Sequence, residues 1–315
     1  MASLDVVSTS PPVVARDLQK RFGELVAVDG IEFSVQPGET FGFLGPNGAG
    51  KTSTMRMIGA VSPRGGGELT IFDLDPATDG PRIRQRLGVV PQEDNLDLEL
   101  TVFENLLVYG RYFGIPSRDV RQRAIELLEF VQLADRRDAR VEHLSGGMKR
   151  RLTIARGLIN NPDLMLLDEP TTGLDPQARH VLWDRLYRLK SQGVTLVLTT
   201  HYMDEAEQLC DRLVIMDQGK IVAEGSPRQL IEQHVEREVV ELRFADGKRD
   251  GVERRLEGLG ARLEVLPDRI LVDTDDGEAA VIAVHERGLE PESILVRRST
   301  LEDVFLTLTG RTLVD

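Results

Sequence analysis

From residue 13 to about 235, short apolar runs alternate with segments whose apolar positions recur every three or four residues. That is the pattern of strands interleaved with amphipathic helices in an α/β layer fold. FGFL (41–44), LMLLD (164–168), TLVLTT (195–200) and LVIM (213–216) read as buried strands. Between Pro91 and Pro162 the strand signal fades and helical spacing dominates, beginning with Thr101-Val-Phe-Glu104, a capping box. The pattern predicts a helical subdomain, about residues 93–160, inserted in a sheet domain.

Ser226-Pro227-Arg-Gln229 starts another helix, with Ser226 as N-cap and Pro227 at the first helical position, and leads into a charged link, EQHVERE (232–238). Beyond it the register changes. Val240, Leu242 and Phe244 alternate as a strand, Val252, Leu256 and Leu259 have helical spacing, and Leu263, Val265, Ile270 and Val272 alternate again. A helix around 277–287 and a last strand at Ile294 and Val296 complete the order β-α-β-β-α-β, which predicts a small ferredoxin-like α+β domain. Leu301, Val304, Phe305 and Leu308 form a closing amphipathic stripe. The expected organisation is a Ser/Pro-rich loose tail over 1–12, a main domain over 13–235 and an accessory domain over 238–315.

Composition narrows the function classes. At 315 residues the chain exceeds what one core usually organises. Its net charge of −13 disfavours a broad surface for nucleic-acid backbones. Cys210 is the only cysteine, so neither an internal disulfide nor a thiolate zinc cluster can form, and a reducing cytosol is the natural setting. No run of 18 apolar residues occurs and the N-terminus lacks a signal pattern, so neither a membrane span nor secretion is expected.

The sharpest chemical signal is GPNGAGKTST (45–54). Gly45, Gly50, Lys51 and Thr52 fit the spacing G-x-x-x-x-G-K-S/T. The loop, Gly45, Pro46, Asn47, Gly48, Ala49 and Gly50 leading into Lys51, Thr52 and Ser53, falls between a strand and a helix. There, backbone N–H groups and the helix N-terminus attract phosphate. Such a loop serves many NTP-using machines.

Further motifs follow in order: Gln92 in VVPQEDN, LSGGMKRR (144–151), Asp168-Glu169 ending LMLLDEP, GLDP (173–176) and His201 after TLVLTT. Together they closely resemble the ATP-binding cassette (ABC) ATPases over roughly residues 13–230. The resemblance implies a P-loop NTPase of ABC type, with a RecA-like sheet core and a helical subdomain, that hydrolyses ATP with Mg²⁺. It implies that Lys51 and the amides of 48–53 hold phosphates, that Thr52, Asp168 and Gln92 hold the metal directly or through water, and that Glu169 is the general base. His201 would contact the γ-phosphate, and Phe22 would stack on adenine. Leu144, Ser145, Gly146, Gly147 and Met148 would complete the ATP site of an opposing cassette, with Asp175 across the same interface. One chain with one such loop and one signature therefore implies a homodimer or paired cassette.

Met148 departs from the Gln commonest in the family. LSGGMKRR and the C-terminal TLEDVFLTLTGR (300–311) resemble the export ATPases related to daunorubicin resistance and nodulation-factor secretion. That implies a motor on the cytoplasmic face of the membrane, bound to transmembrane permease subunits on separate chains, exporting drugs, lipids or glycans. The alternatives are an importer ATPase with a regulatory C-terminal domain and, further off, a non-transport ABC ATPase. Docking is expected near Gln92 and along EDNLDLELTVFENLL (93–107). Phe103, Tyr109, Tyr112 and Phe113 fit either a packed core or a partner's helix, and Trp183 and Tyr187 are expected in the core.

Overall fold

The computed structural model describes residues 10–245 and 251–310, so most of the expected N-terminal tail lies outside the described residues. Pro12 is already buried, its carbonyl accepting the N–H of Phe72. The chain forms two compact units, Met1–Glu224 and Gly225–Asp315.

The first unit begins with β1 (Val13–Phe22), β2 (Leu25–Val35), β3 (Thr40–Leu44), α1 (Lys51–Ile58), β4 (Gly66–Ile71), α2 (Pro76–Gln85) and β5 (Leu87–Val90). Helices α3 (Val102–Tyr112), α4 (Ser117–Phe130) and α5 (Gly146–Gly157) follow, with no strand between Val90 and Leu164. The alternation then resumes with β6 (Leu164–Asp168), α6 (Pro176–Ser191), β7 (Thr195–Thr200), α7 (Met203–Leu209), β8 (Arg212–Asp217) and β9 (Lys220–Gly225).

Six strands form one sheet in the order β5-β6-β7-β3-β8-β9, parallel from β5 through β8. All five residues of β3 and all six of β7 are buried, as continuous apolar runs demand of central parallel strands. The loop after β3 thus leaves from the middle of the sheet at the carboxyl ends of its strands, where α/β sheets bind ligands.

An antiparallel sheet, β2-β1-β4, covers the other side of this core. Phe33 from it meets Phe41 and Phe43 of β3, with ring centroids 5.8 and 5.0 Å away. The periodicity does not announce this sheet, because β1 slips register between Ala15 and Leu18 and again before Lys20, and Asp17 takes a positive φ of 47°. Each slip moves the apolar positions to the opposite face, which erases the period-two signal.

The helices between β5 and β6 enclose their own core of Val102, Leu106, Val120, Leu128, Leu152 and Ile159. Thr101 caps α3 as expected: its Oγ accepts the Glu104 N–H while the Glu104 carboxylate accepts the Thr101 N–H. Phe103, Tyr109 and Phe113 pack into this core, whereas Tyr112 is 80% exposed.

The second unit starts with α8 (Pro227–His234), whose Ser226–Gln229 capping box forms as predicted. It packs on α11 (Leu301–Thr309) within this unit, so a helix that the sequence pattern places at the end of the main domain is grouped with the accessory one. Between them run β10 (Glu238–Arg243), α9 (Val252–Leu256), β11 (Arg262–Val265), β12 (Ile270–Thr274), α10 (Gly277–Glu286) and β13 (Ser293–Arg298). The sheet order is β11-β12-β10-β13, antiparallel throughout, which is the ferredoxin-like arrangement. Val240, Leu242, Ile270 and Val272 point to one face, toward Val252, Ala280 and Val284 of α9 and α10.

Candidate active site

The loop between β3 and α1 is shaped by glycines that nothing larger can replace. Gly50, the N-cap of α1, has φ 103°, and a Cβ there would stand 2.3 Å from the Ala27 carbonyl oxygen. At Gly45 a Cβ would stand 2.2 Å from the Met216 carbonyl oxygen. Lys51 is only 4% exposed, and its Nζ donates to the carbonyls of Gly45 and Pro46 at 2.7 and 2.9 Å, so it lies along its own loop. Burial pushes its pKa down, against the nearby charges of Glu169 and Asp168.

Asp168 and Glu169 leave the end of β6 on different paths. Asp168 Oδ1 accepts from Thr52 Oγ1 at 3.2 Å and from Thr199 Oγ1 at 2.5 Å. Glu169 has φ 45°, in the left-handed region, a conformation that costs a non-glycine residue about 1–3 kcal/mol. Its N–H donates to the carbonyl and Oγ1 of Thr199 on β7, which helps to hold that conformation. Its carboxylate, also buried, accepts from Gln92 Nε2 at 3.1 Å and Thr172 Oγ1 at 3.2 Å, with Lys51 Nζ 3.9 Å away.

His201 Nδ1 stands 3.3 Å from Glu169 Oε1, within ion-pair reach but without the alignment of a hydrogen bond. Its contact, with Lys51 and Thr172 behind it, holds Glu169 below the usual carboxylate range despite burial.

A cavity of about 440 Å³ is lined by Phe22, Asn47, Gly48, Gly50, Lys51, Thr52, Ser53, Gln92 and Glu169, among others. Phe22 is 51% exposed at its rim, not packed in the core. The structure therefore gathers the loop, Gln92, Asp168, Glu169 and His201 within one chain. It does not bring the LSGG segment to them. Ser145, Gly147, Met148 and Asp175 line a separate cavity of about 270 Å³. Ser145 caps α5 by accepting the Met148 N–H at 3.3 Å, and the Met148 side chain packs against the helical core.

The donor set at Thr52 and Asp168 is oxygen only, which suits a hard divalent cation. Among the described residues no three His, Cys, Asp or Glu side chains are arranged to hold a metal ion alone. An Mg²⁺ bound here would need nucleotide phosphates to complete its shell, as that ion commonly does.

A family model described as ABC transporter matches residues 28–172. A Burkholderia thailandensis protein named Nod factor export ATP-binding protein I is 45% identical over 96% of this chain and 99% of its own length. Its namesake in Rhizobium sp. is 48% identical over 95% of this chain and 98% of its own. The chain belongs to the ABC transporter ATPases. Like the family, it binds and hydrolyses ATP as the ATP-binding subunit of a transporter. A solved structure described as the dimeric post-hydrolysis state of the ATP-binding cassette MJ0796 bound to ADP and Pi matches with TM-score 0.63 and 28% identity. That match spans 68% of this chain and 98% of the other. The cassette cbiO1 from Clostridium perfringens matches at TM-score 0.66 and 24% identity, over 71% of this chain and 91% of that one, and shows the shared fold.

Sequence reasoning missed two features of this ATPase. Thr199, inside an apolar strand, ties Asp168 to the Glu169 backbone. Arg150, one of three consecutive basic residues with no role assigned from the sequence, is 4% exposed. It stands two residues before LTIARG (152–157), the wholly buried part of α5, with the half-buried Arg151 between, and so finds its partners inside. Trp183 is part-buried, donating to Glu205, but Tyr187 is 62% exposed, against the expectation that it packs in the core. It sits four residues beyond Trp183 on the same face of α6, and the two line one surface cavity together with His180 and Asp184.

Proposed function

We propose that this chain is the motor of an exporter, working at the cytoplasmic face as an ATP sandwich with a second cassette and driving transmembrane subunits on separate chains. The observation that carries the reading is the separation of two half-sites. The cavity with Lys51, Thr52 and Glu169 and the cavity with Ser145, Gly147 and Asp175 share no residue. Each chain offers each half once, so closing both around nucleotide takes two chains.

Within a closed site the loop N–H groups and Lys51 hold the β- and γ-phosphates, and Phe22 stacks on the adenine. Thr52, Asp168 and Gln92 hold Mg²⁺, whose charge offsets that of the phosphate oxygens during transfer. Glu169, ionised and oriented by Gln92 and Thr172, takes a proton from the attacking water. His201, its Nδ1 unbonded, reaches the γ-phosphate. From the other chain, Ser145 and the N–H groups of Gly146 and Gly147 face that phosphate at the start of α5, beside Leu144 and Met148, with Asp175 nearby.

A cavity of about 340 Å³ beside Gln92, lined in part by Val61, Val89 and Glu93, supports docking of a transmembrane subunit there. Val61 and Val89 are exposed. No helix among the described residues is long and apolar enough to cross a membrane. The net charge of −13 speaks against nucleic acid as a partner. Residues 225–315 act as an accessory domain that tunes assembly or coupling. Export, with a cargo of the drug, lipid or glycan class, is supported by the names of full-length relatives at 45–48% identity.

Inside-out vesicles containing the chain and its membrane subunits test the direction. ATP added outside should load labelled cargo into the vesicles; ATP-driven release of preloaded cargo would indicate an importer instead.

A further inference from the structure

The residue that joins the signature helix to the catalytic carboxylate is Arg150. It lies on α5, five residues beyond Ser145, with its guanidinium enclosed. Nε donates to the Pro170 carbonyl at 2.7 Å, and Nη2 to the carbonyls of Asp168 and Glu169 at 3.0 and 3.1 Å. Nη1 donates to the carbonyls of Pro91 and Gln92 and reaches Asp94 Oδ1 at 3.4 Å. One side chain thus holds the backbone on both flanks of the Gln92–Glu169 contact.

Glu169 is pinned from two directions. Its N–H is held by Thr199 of β7 and its carbonyl by Arg150 of α5. Its left-handed backbone, and with it the aim of its carboxylate, depends on both anchors. A helix that needed only packing here would be served as well by leucine or methionine, because burying a cation mainly against neutral carbonyls, with Asp94 at 3.4 Å as its ion-pair partner, is costly. Five donors in a rigid fork meet backbone oxygens from two separate segments at once, which lysine with its single nitrogen does not.

We propose that Arg150 is a positioning residue for hydrolysis. It fixes Glu169 and Gln92 relative to each other, and it ties that alignment to the helix whose N-terminus meets the opposing nucleotide. The proposal rests on Glu169 acting as general base.

The test uses the full chain with Arg150→Ala, Arg150→Met and Arg150→Lys beside Glu169→Gln. ATP affinity is measured with a fluorescent analogue, turnover by phosphate release, and rescue by millimolar guanidinium chloride. Displacing a reacting group by about 1 Å costs roughly 100-fold, so kcat should fall by about that factor in all three Arg150 variants. ATP affinity should stay within about threefold, the split expected for an interaction that serves the chemical step. Guanidinium should restore turnover to Arg150→Ala, whose cavity admits it, and not to Arg150→Met, whose cavity is filled, nor to Glu169→Gln. Near-normal turnover in Arg150→Ala beside an inactive Glu169→Gln overturns the proposal alone. ATP affinity falling in parallel with kcat, without rescue, shows a merely structural role and also overturns it. Normal turnover in Glu169→Gln removes the general-base reading and this proposal with it.

Discussion

Lys51 and Glu169 face each other across the candidate site, Nζ 3.9 Å from Oε1, with both side chains more than nine-tenths buried. The ammonium that would meet phosphate is therefore held by the carboxylate that would activate water, and by two carbonyls of its own loop. In the function proposed, a nucleotide phosphate would bring the charge that draws Lys51 away from these partners and would leave Glu169 to the water.

Lys51→Ala removes that charge-assisted contact, which is worth about 1.5–3 kcal/mol, or roughly 10- to 150-fold in Kd. Isothermal titration with MgATP should show a loss of that size, and turnover should disappear. Unchanged affinity would remove the loop from the nucleotide site.

Glu169 should titrate below an ordinary glutamate, about 4.3. With the folded value depressed, the stabilisation from His201 and Lys51 is fully present above the unfolded pKa and lost as pH falls through the folded one. Carbon NMR of the labelled carboxyl should show the low midpoint, and His201→Ala should raise it. A wild-type midpoint above that of a free glutamate would contradict the electrostatics described.

Residues 1–224 alone should fold and bind ATP, because the first unit has its own apolar core around β3 and α1. Circular dichroism and nucleotide titration of the truncated chain check this. Failure to fold would mean that the two units are not independent.

Much of this was legible in the residues. FGFL, LMLLD, TLVLTT and LVIM became β3, β6, β7 and β8 because central parallel strands must be apolar on both faces. The second unit was legible because Val240, Leu242, Ile270 and Val272 recur every second residue on the face packed against α9 and α10, while the neighbouring Val239 and Leu271 pack on Leu306 of α11. The β2-β1-β4 sheet was hidden by the register slips of β1, and Arg150 by its place in a basic run. The site motifs could be read as a sequence of spacings. That Asp168 and Glu169 diverge through a left-handed turn held by Thr199 could not, since it depends on a strand 30 residues away.

The central claim is that ATP joins two cassettes through half-sites that one chain keeps apart. Glu169→Gln preserves the size of the base while removing its charge, so ATP and Mg²⁺ bind without turnover and binding that favours the pair shifts association by mass action. Light scattering behind a sizing column measures this directly. The account predicts a dimer with MgATP and a smaller species without nucleotide, and loss of that shift when Ser145→Arg blocks the signature half-site and leaves the Lys51 loop intact. A Glu169→Gln chain that stays monomeric in saturating MgATP, or a double variant that still dimerises on adding it, would contradict the account.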